Sequence, residues 1–496
     1  MDRMSPQDAS FLYIENANNP MHVGSVVVFE GPPPSYGDLV RMVVRKLHLV
    51  PRYRQKVRFP PLELGRPVWV DDGHFQVLYH VRHTALPPPG GDGELRNLAG
   101  RVFAQLLDRT KPLWELWLVQ GLPEERWALV QKVHHCMVDG IASTDLMSIM
   151  FEASPQARLP APVPWNPRPE PSAAQLAADA LADGVAAPLT RLRSLPMAAR
   201  APFLNLEETV GLVRGLARLP AQPLRRTPGS LNGPVGPHRR WSWVKTSLDD
   251  IRQIKDRLGG SVNDVVLSAI TRGFRELLLE RGESMDGLVV RTLVPVSVRN
   301  PREKGTLNNR VSGVFPELPV GIEDPLERLE DIRRQMDGLK ESRQAVAGDA
   351  LIQLSGFTPP MWLSLGARLG ARLPQRLVQT VTTNVPGPQQ PLYANGRRML
   401  ECYPYVPIGG RMRVGIAIFS YAGGLTFGLT GDYDTMPDLE TLGRGIEKGV
   451  SELRRLAGMG GGKRAAKGPR RRSPRQTSRA RGQGRPAGRI DRAASA

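Results

Sequence analysis

Apolar residues along this chain follow two periods, one typical of strands and one typical of helices. Short runs rich in Val, Ile, Leu and aromatic residues predict strands at 23–29, 114–119, 127–133, 241–246, 378–383, 399–405, 411–420 and 425–431. Longer stretches with the helical period predict helices at 35–47, 324–343 and 438–456, and two more after the N-cap candidates Ser247 and Ser261. Strands and helices mix in both halves of the chain, so we expect an α/β fold.

Changes in composition divide the chain into four segments. At 496 residues it is too long for one ordinary core, and residues 1–153 and 241–458 are predicted to be two α/β domains. Residues 154–240 are rich in Pro and Ala, which predicts a crossover linker with helices inside it. Residues 459–496 are rich in Arg, Gly, Pro and Ser and lack aromatic residues, which predicts a disordered basic tail.

The positive charge is concentrated in that tail. The formal net charge is +19, but residues 463–492 hold twelve Lys and Arg against one acidic residue, Asp491, a net of +11. The remaining 55 basic and 47 acidic residues give residues 1–462 only +8, so no specific nucleic-acid partner is expected. The tail itself suits anionic lipid or nucleic acid, or it is a solvated extension without a specific role.

The chain contains two cysteines, Cys136 and Cys402, which exclude a disulfide framework. No basic-then-apolar leader precedes the first motif, and no run reaches the roughly 20 apolar residues needed to cross a bilayer. We therefore expect a cytoplasmic protein. Cys136 adjoins two histidines, so it is either a nucleophile paired with one of them or a small core residue.

The segment Gln131-Lys-Val-His134-His135-Cys-Met-Val-Asp139-Gly140 carries the strongest chemical signal. Successive side chains of a strand point to opposite faces, so His134 and His135 are not expected to share one pocket. A helical pattern follows Gly140, which places the motif on a strand-to-helix turn where glycine permits an unusual backbone conformation. Asp139 is placed to fold back and hold the turn.

This HHxxxDG pattern resembles that of the CoA-dependent acyltransferase superfamily. Further motifs follow the order of the bacterial wax ester synthase/diacylglycerol acyltransferase family: Ser5-Pro-Gln-Asp8-Ala-Ser-Phe11-Leu, Pro20-Met-His-Val-Gly24, Pro112-Leu113-Trp114, Ser261-Val-Asn263-Asp264 and Thr383-Asn384-Val-Pro386-Gly387-Pro388. The resemblance covers about residues 4 to 458. It implies a two-domain, chloramphenicol acetyltransferase-like fold with a channel between the domains, and an O-acyltransferase that uses acyl-CoA as a substrate.

The resemblance also implies a role for each residue of the central motif. His135 would be the general base that removes the proton of the acceptor hydroxyl, a task suited to imidazole, and no covalent acyl-enzyme is required. His134 would be a hydrogen-bonded structural histidine. Asp139, with Gly140, would hold the active-site turn, and Asp139 would pair with an Arg that the sequence does not identify.

The other motifs carry two interpretations each. Asn263 and Asp264 either cap a helix together with Ser261, or order the active site, with Asn263 donating to the oxyanion. Pro112-Leu113-Trp114 is a strand entrance whose Trp packs in the core or lines the acceptor side of the channel. Asn384, Pro386 and Gly387 are predicted to form a turn, which by resemblance lies near the domain interface and the CoA-facing channel.

A metal site is not expected, because the eight histidines show no H-E-x-x-H or Cys-x-x-Cys spacing. The chain also lacks a phosphate-binding loop and a dinucleotide fingerprint, so no bound cofactor is expected. The resemblance implies acyl-CoA and diacylglycerol or a fatty alcohol as partners and peripheral contact with a membrane or lipid-droplet surface, and the oligomeric state stays open. The alternatives are another HHxxxDG acyltransferase acting on a small or carrier-bound acceptor, and a non-catalytic lipid-binding protein.

Overall fold

The structure is a computed structural model that describes residues 2–137, 147–182, 225–297, 311–341 and 378–459. Its helices include α1 (Pro6–Ile14), α2 (Tyr36–Lys46), α3 (Val77–His80), α4 (Asp92–Ala104), α5 (Leu248–Leu258), α6 (Val262–Glu280), α7 (Pro325–Glu341) and α8 (Leu439–Leu456). Its first strands are β1 (Asp2–Arg3), β2 (His22–Phe29), β3 (Gln55–Arg58), β4 (Val68–Asp71), β5 (Val81–Ala85), β6 (Trp114–Gln120) and β7 (Trp127–His134). They are followed by β8 (Arg239–Ser247), β9 (Val290–Ser297), β10 (Val311–Val314), β11 (Glu317–Leu318), β12 (Thr380–Pro386), β13 (Tyr393–Ala394), β14 (Arg397–Tyr405), β15 (Val414–Tyr421) and β16 (Gly424–Asp432).

Local sequence signals set many of the helix ends. Ser5, Ser35, Ser247 and Ser261 are N-caps, and each hydroxyl accepts the backbone N–H of the residue three positions later. Helix α5 ends at Gly259, whose φ of 86° lies in the left-handed region that favours glycine.

The N-terminal sheet has the order β13-β14-β2-β7-β6-β5. Its central strands β2 and β7 pair antiparallel from His22 opposite His134 to Phe29 opposite Trp127. Strand β14 comes from the C-terminal half of the chain, yet it pairs with β2 across Tyr405 and Gly24. The late part of the chain therefore completes the sheet that carries the paired histidines.

The C-terminal sheet has the order β10-β9-β12-β15-β16-β8, with β11 pairing to β9. Strand β12 lies between β9 and β15 and is parallel to both. Phe419 and Tyr421 of β15 lie in the same core cluster as Trp114, Val133 and Trp127 of the N-terminal sheet. The two sheets thus share a core.

A small sheet, β1-β4-β3, lies apart from these two. The proline-rich segment after residue 154 packs near it: Arg54 lies over the ring of Trp165, and Lys56 pairs with Glu170 at 2.9 Å. The compact unit of the chain ends at Gly458. Among the described residues, no helix is both long and apolar enough to cross a membrane.

Candidate active site

The paired histidines lie where β7 ends. His134 is the last residue of the strand, and a short 3-10 turn, His135–Met137, follows at once. The backbone N–H of His134 donates to the carbonyl of Leu113 at 2.9 Å, and the N–H of His135 donates to the carbonyl of Met21 at 2.9 Å. The backbone on both sides of β7 therefore fixes where the two imidazoles stand.

The His134 side chain is completely buried. Its Nδ1 accepts the backbone N–H of Cys136 at 3.1 Å, so the proton of the neutral ring is on Nε2. Nε2 lies 3.3 Å from Oε1 of Glu15. The imidazole thus joins the turn that carries His135 to a buried carboxylate.

Glu15 was not predicted from the sequence. It follows α1, its side chain is 2% exposed, and its Oε2 accepts from Arg109 Nη2 at 2.8 Å. Its Oε1 also accepts the backbone N–H of Met21 at 3.0 Å. Burial raises the pKa of Glu15, but the contacts with His134, Met21 and Arg109 outweigh it and lower the pKa to about 2. Glu15 is therefore a buried anion at neutral pH.

His135 is partly buried beneath α1. The Phe11 ring stacks on its imidazole, with ring centroids 4.0 Å apart and planes 14° from parallel. Burial lowers the pKa of His135 to about 4, the neighbouring His134 lowers it further, and its own backbone carbonyl opposes the shift. Nδ1 is buried and has no hydrogen-bond partner among the described residues. The ring is therefore neutral at physiological pH, the form in which imidazole accepts a proton.

Cys136 is a core residue. Its side chain is 5% exposed and packs with Leu12 and Leu113. Burial raises the pKa of its thiol well above the usual value, so the reactive thiolate is disfavoured. Of the two interpretations of this cysteine, the geometry favours the small core residue.

The Pro112-Leu113-Trp114 segment lies beside the histidines and is buried. Trp114 is opposite Val133 in the ladder between β6 and β7, and its indole N–H donates to the carbonyl of Tyr53 at 2.9 Å. Trp114, Tyr53 and Val133 line a small cavity. Trp114 therefore packs in the core and at the same time borders empty space next to the motif.

The prediction of a turn at Asn384, Pro386 and Gly387 is wrong. Asn384 and Pro386 belong to β12, opposite Ile418 and Ser420 of the parallel strand β15. Proline lacks an N–H, yet it is tolerated here because Pro386 is the last residue of the strand. Gly387 is needed for space, since a Cβ there would lie 2.2 Å from the backbone oxygen of Ser420.

Asn263 and Asp264 lie in the first turn of α6, in the C-terminal half. The Asp264 Oδ2 accepts the backbone N–H of Ser261 at 2.7 Å, and the Ser261 hydroxyl accepts the N–H of Asp264 at 3.2 Å. This reciprocal pair is a capping box. The Oδ1 of Asp264 is buried and has no hydrogen-bond partner within the described part of the chain.

Asp139 and Gly140 lie outside the described residues, as does the Pro/Ala-rich stretch from 183 to 224. Within the described ranges, no group of three or more His, Cys, Asp or Glu side chains is arranged to hold a metal ion. The described residues that meet at the end of β7 include His134, His135, Glu15, Phe11, Met21, Cys136 and Leu113.

The chain is similar to mycobacterial proteins along most of its length. It is 35% identical over 467 residues to a protein of Mycobacterium tuberculosis H37Rv described as a probable diacylglycerol O-acyltransferase, tgs1, covering 91% of this chain and 96% of that protein. A second protein of the same organism, tgs2, with the same description, is 31% identical over 468 residues and is matched along 100% of its length.

Solved structures show the same fold. The wax ester synthase/diacylglycerol acyltransferase of Marinobacter aquaeolei VT8 has a TM-score of 0.65 and 25% identity, covering 92% of this chain and 100% of that one. The first condensation domain of the calcium-dependent antibiotic synthetase has a TM-score of 0.57 at 15% identity, which shows the fold alone. The fold is therefore the two-domain, chloramphenicol acetyltransferase-like fold predicted from the sequence.

Two family models match the chain in sequence order. The wax ester synthase/diacylglycerol acyltransferase catalytic domain matches residues 4–266, more than half of the chain, and the C-terminal domain of the same family matches residues 307–454. The chain belongs to the wax ester synthase/diacylglycerol acyltransferase family.

Proposed function

We propose that this protein is an O-acyltransferase that moves a long-chain acyl group from acyl-CoA to diacylglycerol, forming triacylglycerol. Long-chain alcohols are proposed as secondary acceptors, giving wax esters. The observation that carries this proposal is a neutral imidazole, His135, held by backbone and ring contacts at the end of β7 in a chain of this family.

In the proposed reaction, His135 removes the proton of the acceptor hydroxyl while the oxygen attacks the thioester carbonyl. The same imidazolium then protonates the coenzyme A thiolate as it leaves, so no acyl-enzyme forms. Nδ1 is buried, which makes Nε2 the proposed proton acceptor. General-base catalysis of this kind contributes about 10²–10⁴-fold, and positioning of the substrates and stabilisation of the oxyanion supply the rest.

Other residues are given roles here because of their position or because of the family resemblance. Asn263 is proposed to order the active site or donate to the oxyanion, and Trp114 to border the acceptor. Asn384 and Gly387, at the end of β12, are proposed to face the CoA side. No metal and no cofactor beyond the acyl-CoA substrate take part in the proposed reaction. We propose that the protein reaches its lipid substrates by binding peripherally to a membrane or lipid-droplet surface.

Substitution of His135 tests the general base. His135→Ala, checked for folding by circular dichroism, should abolish transfer of labelled acyl-CoA to diacylglycerol, and His134→Ala should cost less. His74→Ala removes an exposed histidine and is the matched control, which should keep full turnover. A folded His135→Ala variant that kept more than about a tenth of the wild-type turnover would contradict the assignment, because a lost general base costs about 10²-fold or more.

Acceptor preference is tested by competition. Diacylglycerol, hexadecanol and a small polar alcohol are offered at equal concentration with labelled acyl-CoA, and the products are separated by thin-layer chromatography. We expect both lipid esters, with triacylglycerol in excess, because relatives are described as diacylglycerol acyltransferases and an apolar pocket discriminates by only about 1–3 kcal/mol per methylene-sized feature. Exclusive wax ester formation would reverse the preference, and esters of the polar alcohol alone would remove the neutral-lipid proposal.

A further inference from the structure

The carboxylate of Glu15 is linked to both histidines of the motif, to His134 directly and to His135 through Met21. The direct route is the 3.3 Å approach of Oε1 to Nε2 of His134. The indirect route passes through Met21: Oε1 accepts the Met21 N–H at 3.0 Å, and the Met21 carbonyl accepts the N–H of His135 at 2.9 Å. One oxygen atom therefore connects the side chain of His134 with the backbone of His135.

The direct route and a backbone contact together determine which nitrogen of His134 carries the proton. Nδ1 accepts the Cys136 N–H, so it cannot be protonated while that bond exists. The proton is then on Nε2, which faces Glu15, an anion that Arg109 holds in place with two hydrogen bonds of 2.8 and 3.0 Å. In this tautomer, His134 supports the turn that begins at His135.

Glu15 has no direct part in the chemistry. Its side chain is 2% exposed, and its polar contacts are with His134, Met21 and Arg109. It also follows α1, whose Phe11 stacks on His135. An effect of Glu15 on turnover must therefore pass through the position of His135.

We propose that Glu15 is a positioning residue: its carboxylate fixes the Nε2–H tautomer of His134 and, through Met21, the backbone of His135. This inference rests on the proposed role of His135 as the general base. Small displacements of a catalytic group are costly, since a shift of about 1 Å lowers the rate by about 10²-fold.

The test compares Glu15→Ala with Glu15→Gln. Alanine leaves the buried Met21 N–H without its acceptor and takes the carboxylate away from His134 Nε2, so kcat should fall by about 10²-fold with KM little changed. Glutamine keeps an acceptor oxygen at the same place, and it should restore kcat to within about tenfold of wild type. The control is Glu452→Ala, which removes a carboxylate that accepts from Arg272 and Arg328 at 3.1 Å each, far along the chain. It should lower Tm and leave kcat unchanged.

Histidine ¹⁵N NMR provides a readout without turnover. His134 of the wild-type protein should show an unprotonated Nδ1 and a protonated Nε2 at neutral pH. Glu15→Ala keeps the Cys136 N–H contact but removes the anion beside Nε2, so the pattern should become less complete, with a measurable share of the Nδ1–H tautomer. A protonated Nδ1 in the wild type, a folded Glu15→Ala variant with unchanged kcat, or an equal loss of kcat in Glu452→Ala would each overturn the proposal. Activity retained in His135→Ala would instead overturn the proposed function, and the NMR pattern would still decide the role of Glu15 toward His134.

Discussion

At the scale of single residues, the chemistry of this site depends on burial more than on charge. Removing His135 from water disfavours its cation, and the pKa falls to about 4, against about 6.5 for a free histidine. His22, completely buried beside Lys132, also has its pKa lowered well below the ordinary value, first by burial and then by that lysine. Both rings therefore stay neutral where an exposed histidine would begin to take up a proton.

The lowered pKa of His135 predicts a broad pH range of activity. The base is neutral above its folded pKa of about 4, so kcat/KM should be constant from about pH 8 to pH 5 and fall only below that. An acidic limb centred near pH 6.5 would contradict the buried environment of His135. Measurement of kcat/KM against pH, on samples checked for folding at each point, decides between the two.

Folding must be checked at each pH because the lowered pKa values of His135 and His22 also reduce the stability of the folded protein in acid. Between about pH 4 and pH 6.5, the unfolded chain binds protons on His135 and His22 that the folded chain does not bind. The contribution of these two histidines to the free energy of unfolding should therefore be complete above about pH 6.5 and decline as the pH falls through this window. Glu15 affects stability at lower pH. Because its pKa is about 2 in the folded chain and 4.5 ordinarily, its contribution to stability is lost only as the pH falls below about 4.5.

At the scale of elements, helix α1 supports the motif although it lies more than a hundred residues earlier in the chain. Its N-cap Ser5 sets where it begins, Phe11 covers His135, and Glu15 at its end reaches His134. Arg109 also donates to the carbonyl of Leu12 in its last turn, at 2.8 Å. The contacts explain why a motif at the very start of the sequence accompanies the paired histidines.

Two serine N-caps allow the effect of α1 on catalysis to be separated from its effect on stability. Ser5 accepts the Asp8 N–H at 3.0 Å, and Ser35 accepts the Asp38 N–H at 3.1 Å at the start of α2. Ser5→Ala and Ser35→Ala should each lower the free energy of unfolding by about 1 kcal/mol. Only Ser5→Ala should also lower kcat, by several-fold, because α1 touches the histidines. Denaturant unfolding and steady-state kinetics on both variants test this, and an equal effect of the two on kcat would contradict it.

Sequence patterns predicted the elements whose signals are local. The N-caps Ser247 and Ser261 and the apolar run at 127–133 are signals that act within a few residues. The turn predicted at 383–388 was wrong because the pairing of β12 with β9 and β15 is a tertiary interaction that overrides the turn preference of Asn, Pro and Gly. Glu15 could not be found, because its partners Arg109 and His134 lie far away in sequence.

At the scale of the whole molecule, the chain folds back on itself. Strand β14, from the late part of the sequence, extends the sheet that holds His134, and β15 packs into the same core as Trp114. The Lys245 ammonium pairs with Glu401 of β14 at 2.8 Å, a further link between β8 and that strand. Composition and motif order could predict two α/β halves. The addition of β14 to the N-terminal sheet could not be predicted, because it depends on long-range pairing that no short pattern encodes.

The basic tail carries more than half of the net charge of the molecule. Residues 463–492 carry a net charge of +11, whereas residues 1–462 carry +8 spread over a much longer stretch. Each Lys or Arg near an anionic surface contributes about 1 kcal/mol, and salt screens the attraction. A tail that serves in membrane binding should therefore act on vesicle affinity and leave the chemistry at His135 alone.

Truncation after Gly462 should leave turnover with dispersed substrates nearly unchanged and weaken binding to anionic vesicles at low salt. The matched control keeps the length of the tail but replaces its twelve Lys and Arg by Ser, and it should bind vesicles as weakly as the truncated protein. Vesicle co-sedimentation at low and high salt measures both effects, with neutral vesicles as the reference. If the full chain, the truncated chain and the chain with the uncharged tail bind anionic vesicles equally at low salt, the tail has no membrane role.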